Sequence, residues 1–232
     1  MNFRQRRRGP RRNRRFHVDV NYSLTIAPLS IRLIQWHHED IMAAAPVARL
    51  SPDEYLAHER QAEFKSEYID GYVVGMAGGS PEHSLITMNA AHVLVGSLKG
   101  KACRVYGSDL KVSVSHKDIF YPDLMVICGP LRYAEPRRDA VTNPTVVIEV
   151  LSPSTETRDR GIKSAAYRKL DSLQEYILID QSAAHIEHYV RTPENAWLLT
   201  DIDGLDAQLR IAAIDCTIPL SEIYDKVEFP AA

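Results

Sequence analysis

The sequence predicts an α/β protein, with a mixed β-sheet flanked by helices and an antiparallel β-meander towards the C-terminus. Three observations carry this. The runs Phe120 to Ile127 and Thr145 to Leu151 are dominated by Val, Ile and Leu, the composition of strands buried in a sheet. Two strong helix starts, Ser51-Pro52-Asp53-Glu54 and Ser80-Pro81-Glu82-His83, separate strand patterns from one another. After Ile179 only strand patterns remain until a last helical turn.

Taken in order, Ser51 as N-cap, Pro52 at the first helical position and Glu54 as capping-box partner open a helix over about 52–60. Phe64 to Ile69 and Tyr72 to Val74 flank Asp70-Gly71, a hairpin signal. Ser80 caps a second helix, in which Leu85, Ile86, Met88, Asn89, Val93 and Leu94 follow roughly helical spacing, and Gly100 ends it. Strands are expected at Cys103 to Tyr106, Leu110 to Val114, Phe120 to Ile127 and Thr145 to Leu151, with a polar linker over 129–143. Ser152-Pro153-Ser154-Thr155 breaks the last of these and leads into a helix ending near Leu170. Tyr176 to Ile179 is a further strand. Ile186 to Val190, Trp197 to Thr200 and Gln208 to Ile211 form the meander, and a helical turn near Ser221 to Val227 closes the fold.

The 232 residues suffice for one large domain with an appendage, and 45% hydrophobic and 25% charged residues are ordinary globular values. The net charge of −2 hides a division. Residues 1–41 hold nine arginines and three acids, whereas residues 42–232 sum to −8. The expectation is an Arg-rich, disordered extension over 1–41 and a domain over 42–232, with Met42 the favoured initiator. The alternative is a basic arm that neutralises nucleic-acid phosphates. No apolar run reaches the ~18–20 residues of a membrane span, and 1–41 lacks the apolar core of a signal peptide. Cys103, Cys128 and Cys216 have no metal-ligand spacing, so reduced, buried thiols in a cytoplasmic protein are expected. The chain shows no Gly-rich phosphate loop, no His-rich metal cluster and no Ser or Cys nucleophile signature.

Asp123 and Glu149 carry the chemistry. Each is a single acid in an apolar strand pattern, where desolvation penalises the charge unless a cation or hydrogen bonds offset it. Two such acids on neighbouring strands suit a shared divalent metal. Thr155, Asp159, Lys163 and Tyr167 recur at i, i+4 spacing and form one face of the helix that follows. Ile162, Ala165, Ala166 and Leu170 define the adjacent apolar face. That places Lys163 at the border of core and cleft, where its removal should cost little stability.

Pro122-Asp123, Glu149 and a Lys on the next helix resemble the PD-(D/E)XK nuclease superfamily, and more closely the Uma-two family of restriction endonuclease-like proteins. The resemblance spans roughly 48–228, through Ser66-Glu67-Tyr68-Ile69-Asp70-Gly71, Ser80-Pro81-Glu82-His83, Tyr121-Pro122-Asp123, Val147 to Thr155, Asp159, Lys163, Tyr167 and Glu175 to Asp180. It implies a restriction endonuclease-like fold and Mg²⁺- or Mn²⁺-dependent hydrolysis of DNA phosphodiesters. In that reading Asp123, Glu149 and the backbone carbonyl of Val150 hold the metal. Lys163 orients or deprotonates water, or neutralises phosphate. Glu67 is a supporting acid and His83 assists at the site. The superfamily's usual Lys, two residues after the Glu, is Leu151 here, so its role falls to Lys163, with Lys111 as rival. A homodimer would supply two sites for duplex cleavage. The alternative is an inactive nucleic-acid- or partner-binding protein on a nuclease fold. The acidic balance of 42–232 is a point against tight DNA binding, for which a local basic surface from Arg104, Lys111, Arg137, Arg138, Arg158, Arg160, Arg168 and Lys169 could compensate, and the intact acid–acid–Lys set favours catalysis.

Overall fold

The computed structural model describes residues 49–134 and 138–229. The expected extension over 1–41 and the start at Met42 lie outside the described residues. Helix α1 (Pro52–Glu59) begins on the expected capping box, with the Ser51 and Glu54 side chains each accepting from the other's backbone N–H. Strands β1 (Ser66–Ile69) and β2 (Tyr72–Gly75) form the expected hairpin, and Asp70 and Gly71 both adopt positive φ, as a tight primed turn requires. Helix α2 (Pro81–Ser97) is capped by Ser80 and buries Ile86, Ala90 and Leu94.

Strands β3 (Cys103–Gly107), β4 (Lys111–Ser115), β5 (Asp118–Phe120) and β6 (Leu124–Cys128) follow. The continuous strand expected over 120–127 is therefore two strands in two sheets. Pro122 lies at the break. It has no N–H to give a central ladder and its φ is fixed, so the chain changes partners there. Strand β7 (Ala140–Val141) pairs in parallel with β4, inside what reads as a linker. Strand β8 (Val146–Leu151) is buried at every residue and pairs in parallel with β9 (Glu175–Asp180).

The connection between them is not one helix. It consists of α3 (Glu156–Arg158), a π-helical turn (Asp159–Lys163) and α4 (Ser164–Tyr167). Strands β10 (His185–Arg191) and β11 (Trp197–Asp203) extend the sheet as a meander. Strand β12 (Gln208–Ile211) does not join it. It pairs instead with β13 (Cys216–Pro219), and α5 (Leu220–Ile223) closes the described chain.

The result is a six-stranded mixed sheet ordered β11-β10-β9-β8-β6-β3, a five-stranded sheet ordered β2-β1-β5-β4-β7 and the β12–β13 pair. Alternation along β8 divides the core. Val146, Ile148 and Val150 face α2, α5 and the β12–β13 pair. Val147 and Leu151 face Phe120, Tyr167 and Tyr176 on the other side, and Glu149 has their parity. No helix among the described residues is long and apolar enough to cross a membrane.

The cysteines correct the expectation of three free thiols. In the antiparallel register of β3 and β6, Cys103 stands directly opposite Cys128, and the two form a disulfide. Cys216 is a free, buried thiol. Denatured without reductant, the described region should titrate one thiol, and three after reduction. Three thiols before reduction would show that the bridge is not formed in solution.

Candidate active site

Asp123 is placed by the break at Pro122. Strands β6 and β8 pair antiparallel with Leu124 opposite Ile148, and one further step of that register brings Asp123 opposite Glu149. Side chains and backbone then cross-tie. The Asp123 N–H donates to Glu149 Oε2 at 3.2 Å, and the Val150 N–H donates to Asp123 Oδ2 at 2.8 Å. Each carboxylate thus accepts from the backbone at the other's strand, and both line one cleft.

Glu149 is buried in mid-sheet and cannot remain charged there without help. The help comes from Lys163, whose Nζ lies 2.7 Å from Glu149 Oε1, 3.1 Å from Asp159 Oδ1 and 3.3 Å from Glu67 Oε1. The Tyr167 hydroxyl donates to the same Glu149 oxygen at 3.1 Å. Burial drives the Glu149 pKa well above the carboxylate range; Lys163 opposes that rise, while Asp159, Asp123 and Glu67 reinforce it. Burial by itself lowers the Lys163 pKa, but Glu149, Glu67, Tyr167 and Asp159 outweigh it, and the ammonium is held well above its ordinary value.

Lys163 lines the cleft, as its place at the border of core and cleft predicts, but it is buried deeply enough among acids that its removal is expected to cost stability. It is only 5% exposed, whereas Ile162 is 53% exposed and Ala165 also faces solvent. The polar stripe points inward and half of the expected apolar face points out. The π-helical turn spans Asp159 to Lys163 and turns both inward, and Tyr167 follows them. Such turns often mark sites where one side chain must be aimed against the helical period.

Glu67 enters from β1, in the other sheet, and its Oε1 also accepts from the Tyr121 N–H at 3.4 Å. His83, in the first turn of α2, meets Asp123 Oδ2 through Nε2 at 3.1 Å. The hydrogen bond to Asp123 raises the His83 pKa against the opposing effect of burial, with Asp159 and a backbone contact to Val150 adding to it. Gly79 makes room for this ring, since a Cβ there would lie 2.9 Å from His83 Nδ1.

Lys111 is elsewhere. Its ammonium sits over the Tyr121 ring, 5.0 Å from the centroid, and it does not line the cleft. The structure therefore brings together Asp123, Glu149, Lys163, Glu67, His83 and the Val150 backbone, and leaves Lys111 out. Asp159, Tyr121, Arg158 and Gly79 also line the cleft; the sequence placed Asp159 on the Lys163 face and Arg158 in a candidate basic surface, and gave Tyr121 and Gly79 no role. The i, i+4 relation to Lys163 was the available signal for Asp159; Gly79 carried none.

The cleft holds about 80 Å³, space for a few water-sized groups. Four carboxylates, Glu67, Asp123, Glu149 and Asp159, face Lys163 and Arg158 there, so acids are in excess. Hard oxygen donors with surplus negative charge suit Mg²⁺ or Mn²⁺. Among the described residues, no three His, Cys, Asp or Glu side chains form a ready ligand cage. An ion would rest on two carboxylates completed by backbone oxygen, water or phosphate.

A mixed sheet that aligns two acids across adjacent strands, beside an ion-paired lysine, defines a restriction endonuclease-like α/β protein. The chain belongs to the Uma2 family, described as "Putative restriction endonuclease", whose pattern matches residues 52–220. It is 35% identical to the uncharacterized protein sll1609 of Synechocystis sp. over 173 residues, covering 74% of this chain and 98% of the relative. It is 34% identical to slr1290 of the same organism, over 80% of this chain and 97% of that one. A crystal structure of a putative nuclease from Anabaena variabilis shares the fold, with a TM-score of 0.61 at 19% identity over 75% of this chain and 97% of the other.

Two outcomes are expected. Lys163→Ala should destabilise the protein by about 3–5 kcal/mol in urea unfolding, because it strands buried carboxylates without a counter-charge. A loss below ~1 kcal/mol would mean that the acids find solvent instead. The second concerns His83. Its imidazole should titrate above 6.5 by NMR in the metal-free protein, and fall towards that value in Asp123→Asn and in Gly79→Ala. Because the folded pKa is raised, the stabilisation from this pair is complete below the unfolded pKa and lost as pH rises through the folded one. A His83 titration unchanged in both variants would contradict the contact.

Proposed function

We propose that the protein is a divalent-metal-dependent endonuclease that hydrolyses DNA phosphodiesters. The observation that carries this reading is the cross-tied pair Asp123 and Glu149, with Lys163 in the same cleft. Asp123 and Glu149 are the residues to hold the ion, with the Val150 carbonyl as a further oxygen. Mg²⁺ or Mn²⁺, when bound, supplies Lewis-acid polarisation of the phosphate and a more acidic water.

The chain's own residues do the rest. His83 and the Val150 N–H both hold Asp123 Oδ2, which leaves Oδ1 as the oxygen to meet an ion. Tyr167 fixes Glu149 from the buried side. Lys163, surrounded by acids, acts as a charged donor that orients water or phosphate rather than as a base. Glu67 and Asp159 hold that ammonium in place. Opposing this reading, the net charge of −8 over 42–232 weakens attraction to DNA and favours a non-catalytic partner-binding protein on the same fold.

Nicking of supercoiled plasmid separates the two. The wild type should nick with Mg²⁺ or Mn²⁺ and stop on chelation. Asp123→Asn and Glu149→Gln should each lose at least about 100-fold in rate, while Lys111→Ala keeps most of it. No nicking by folded wild type with either ion, or equal nicking by all variants, would sink the enzyme reading.

A further inference from the structure

A phosphate in this cleft needs a cationic partner, and Lys163 is already engaged by three carboxylates at 2.7–3.3 Å. The cations just outside are engaged as well. Lys65 pairs with Asp109 at 2.5 Å and donates to the Ser108 carbonyl at 3.0 Å, and Arg160 pairs with Glu156 at 2.7 Å and Glu187 at 2.6 Å. Arg158 differs. It lines the cleft, its side chain is 29% exposed, and among the described residues its nearest acid oxygen is Glu67 Oε2, 4.0 Å from NH1. That distance is too long for a hydrogen bond. A guanidinium offers five donors in a planar fork that matches two phosphate oxygens.

The wall beside Arg158 is hydroxylic. Ser152, Ser154 and Thr155 line the same cleft, with Ser152 Oγ 3.1 Å from Ser154 Oγ and 3.0 Å from Thr155 Oγ1. Three linked hydroxyls have more donors and acceptors than their mutual contacts consume. They follow directly on β8, the strand that carries Glu149, so a group bound there lies next to the acids.

We propose that Arg158, with the hydroxyls of Ser152, Ser154 and Thr155, is the phosphate-binding wall of the cleft and takes a phosphodiester of the DNA strand to be cut. This rests on the nuclease reading of the same site. Arg158 supplies the charge and the fork; the hydroxyls fill the remaining oxygen positions. The cleft then has an acidic floor at Asp123 and Glu149 and one basic wall, which lets an acidic protein hold a phosphate locally despite its overall charge.

The test is anisotropy of a fluorescein-labelled DNA oligonucleotide with the full chain in EDTA across a salt series, so that no cleavage enters. Arg158→Ala should weaken binding about tenfold and reduce the slope of log K against log salt by about one phosphate contact. Arg158→Lys should restore the slope but not the full affinity, because an ammonium keeps the charge and loses the fork. Arg210→Ala, an exposed arginine paired with Asp215, is the control and should change neither. Inorganic phosphate as competitor distinguishes a site for free phosphate from one for the strand: displacement of the oligonucleotide only above millimolar phosphate supports the strand, and displacement at micromolar phosphate overturns it. An unchanged slope in Arg158→Ala, or no binding by the wild type, also overturns the proposal. In plasmid nicking, Arg158→Ala should raise KM with little change in kcat. Nicking lost in Asp123→Asn but with KM unchanged in Arg158→Ala would leave the nuclease reading standing and remove this one. A slope lost in Arg158→Ala without any nicking by the wild type would remove the nuclease reading, and with it the strand to be cut, and leave Arg158 only as a DNA-phosphate contact.

Discussion

The structure depends on one buried ammonium. Glu149 lies in the middle of a strand that is buried on both faces, and an isolated carboxylate in that position is strongly unfavourable. Lys163 offsets it, and this demand organises the neighbourhood. The connection after β8 turns through a π-helical segment so that Asp159 and Lys163 both face inward. Tyr167 reaches Glu149 one turn later. Strand β1 delivers Glu67 from the other sheet to the same ammonium. Three separate segments are held in register by one charge, so the cleft and the packing around it are one structure.

Pro122 sets the second constraint. By ending one ladder and starting another it lets the chain leave the five-stranded sheet at Phe120 and enter the six-stranded sheet at Leu124. The residue just past the break, Asp123, keeps a free backbone N–H, which Glu149 accepts. Regular strand would have paired that N–H within a ladder. The site therefore occupies a place where the chain passes directly from one sheet to the other, and it is irregular for a physical reason.

These two features explain how an acidic domain gathers its acids at one cleft. The acids gather on one side, facing α2 through His83 and the π-helical turn through Lys163. The surplus of carboxylates over cations is what a divalent ion would neutralise. Membership of the Uma2 family places this arrangement in a wider group, and the shared fold of the Anabaena variabilis structure shows that the architecture persists at 19% identity.

Much of this was legible in the chain alone. Ser51 and Ser80 marked helix starts because capping is a local interaction, and Asp70-Gly71 marked a hairpin because only a few residue types accept its backbone geometry. The apolar runs identified β6 and β8, and single acids within them identified Asp123 and Glu149. Tertiary structure decided the rest. The helix after β8 reads as amphipathic with Ile162 inward, yet Ile162 is exposed and Lys163 buried, because the face that turns inward was chosen by Glu149 inside the assembled sheet and by Glu67 on β1 of the other sheet. The pairing of Cys103 with Cys128 follows from the register of β3 on β6, and the short strands β7 and β13 exist only because β4 and β12 offer them a ladder. The sequence determines what short segments prefer; which charges and edges must be satisfied is settled only when remote segments meet, since burial and pairing are properties of the assembled core.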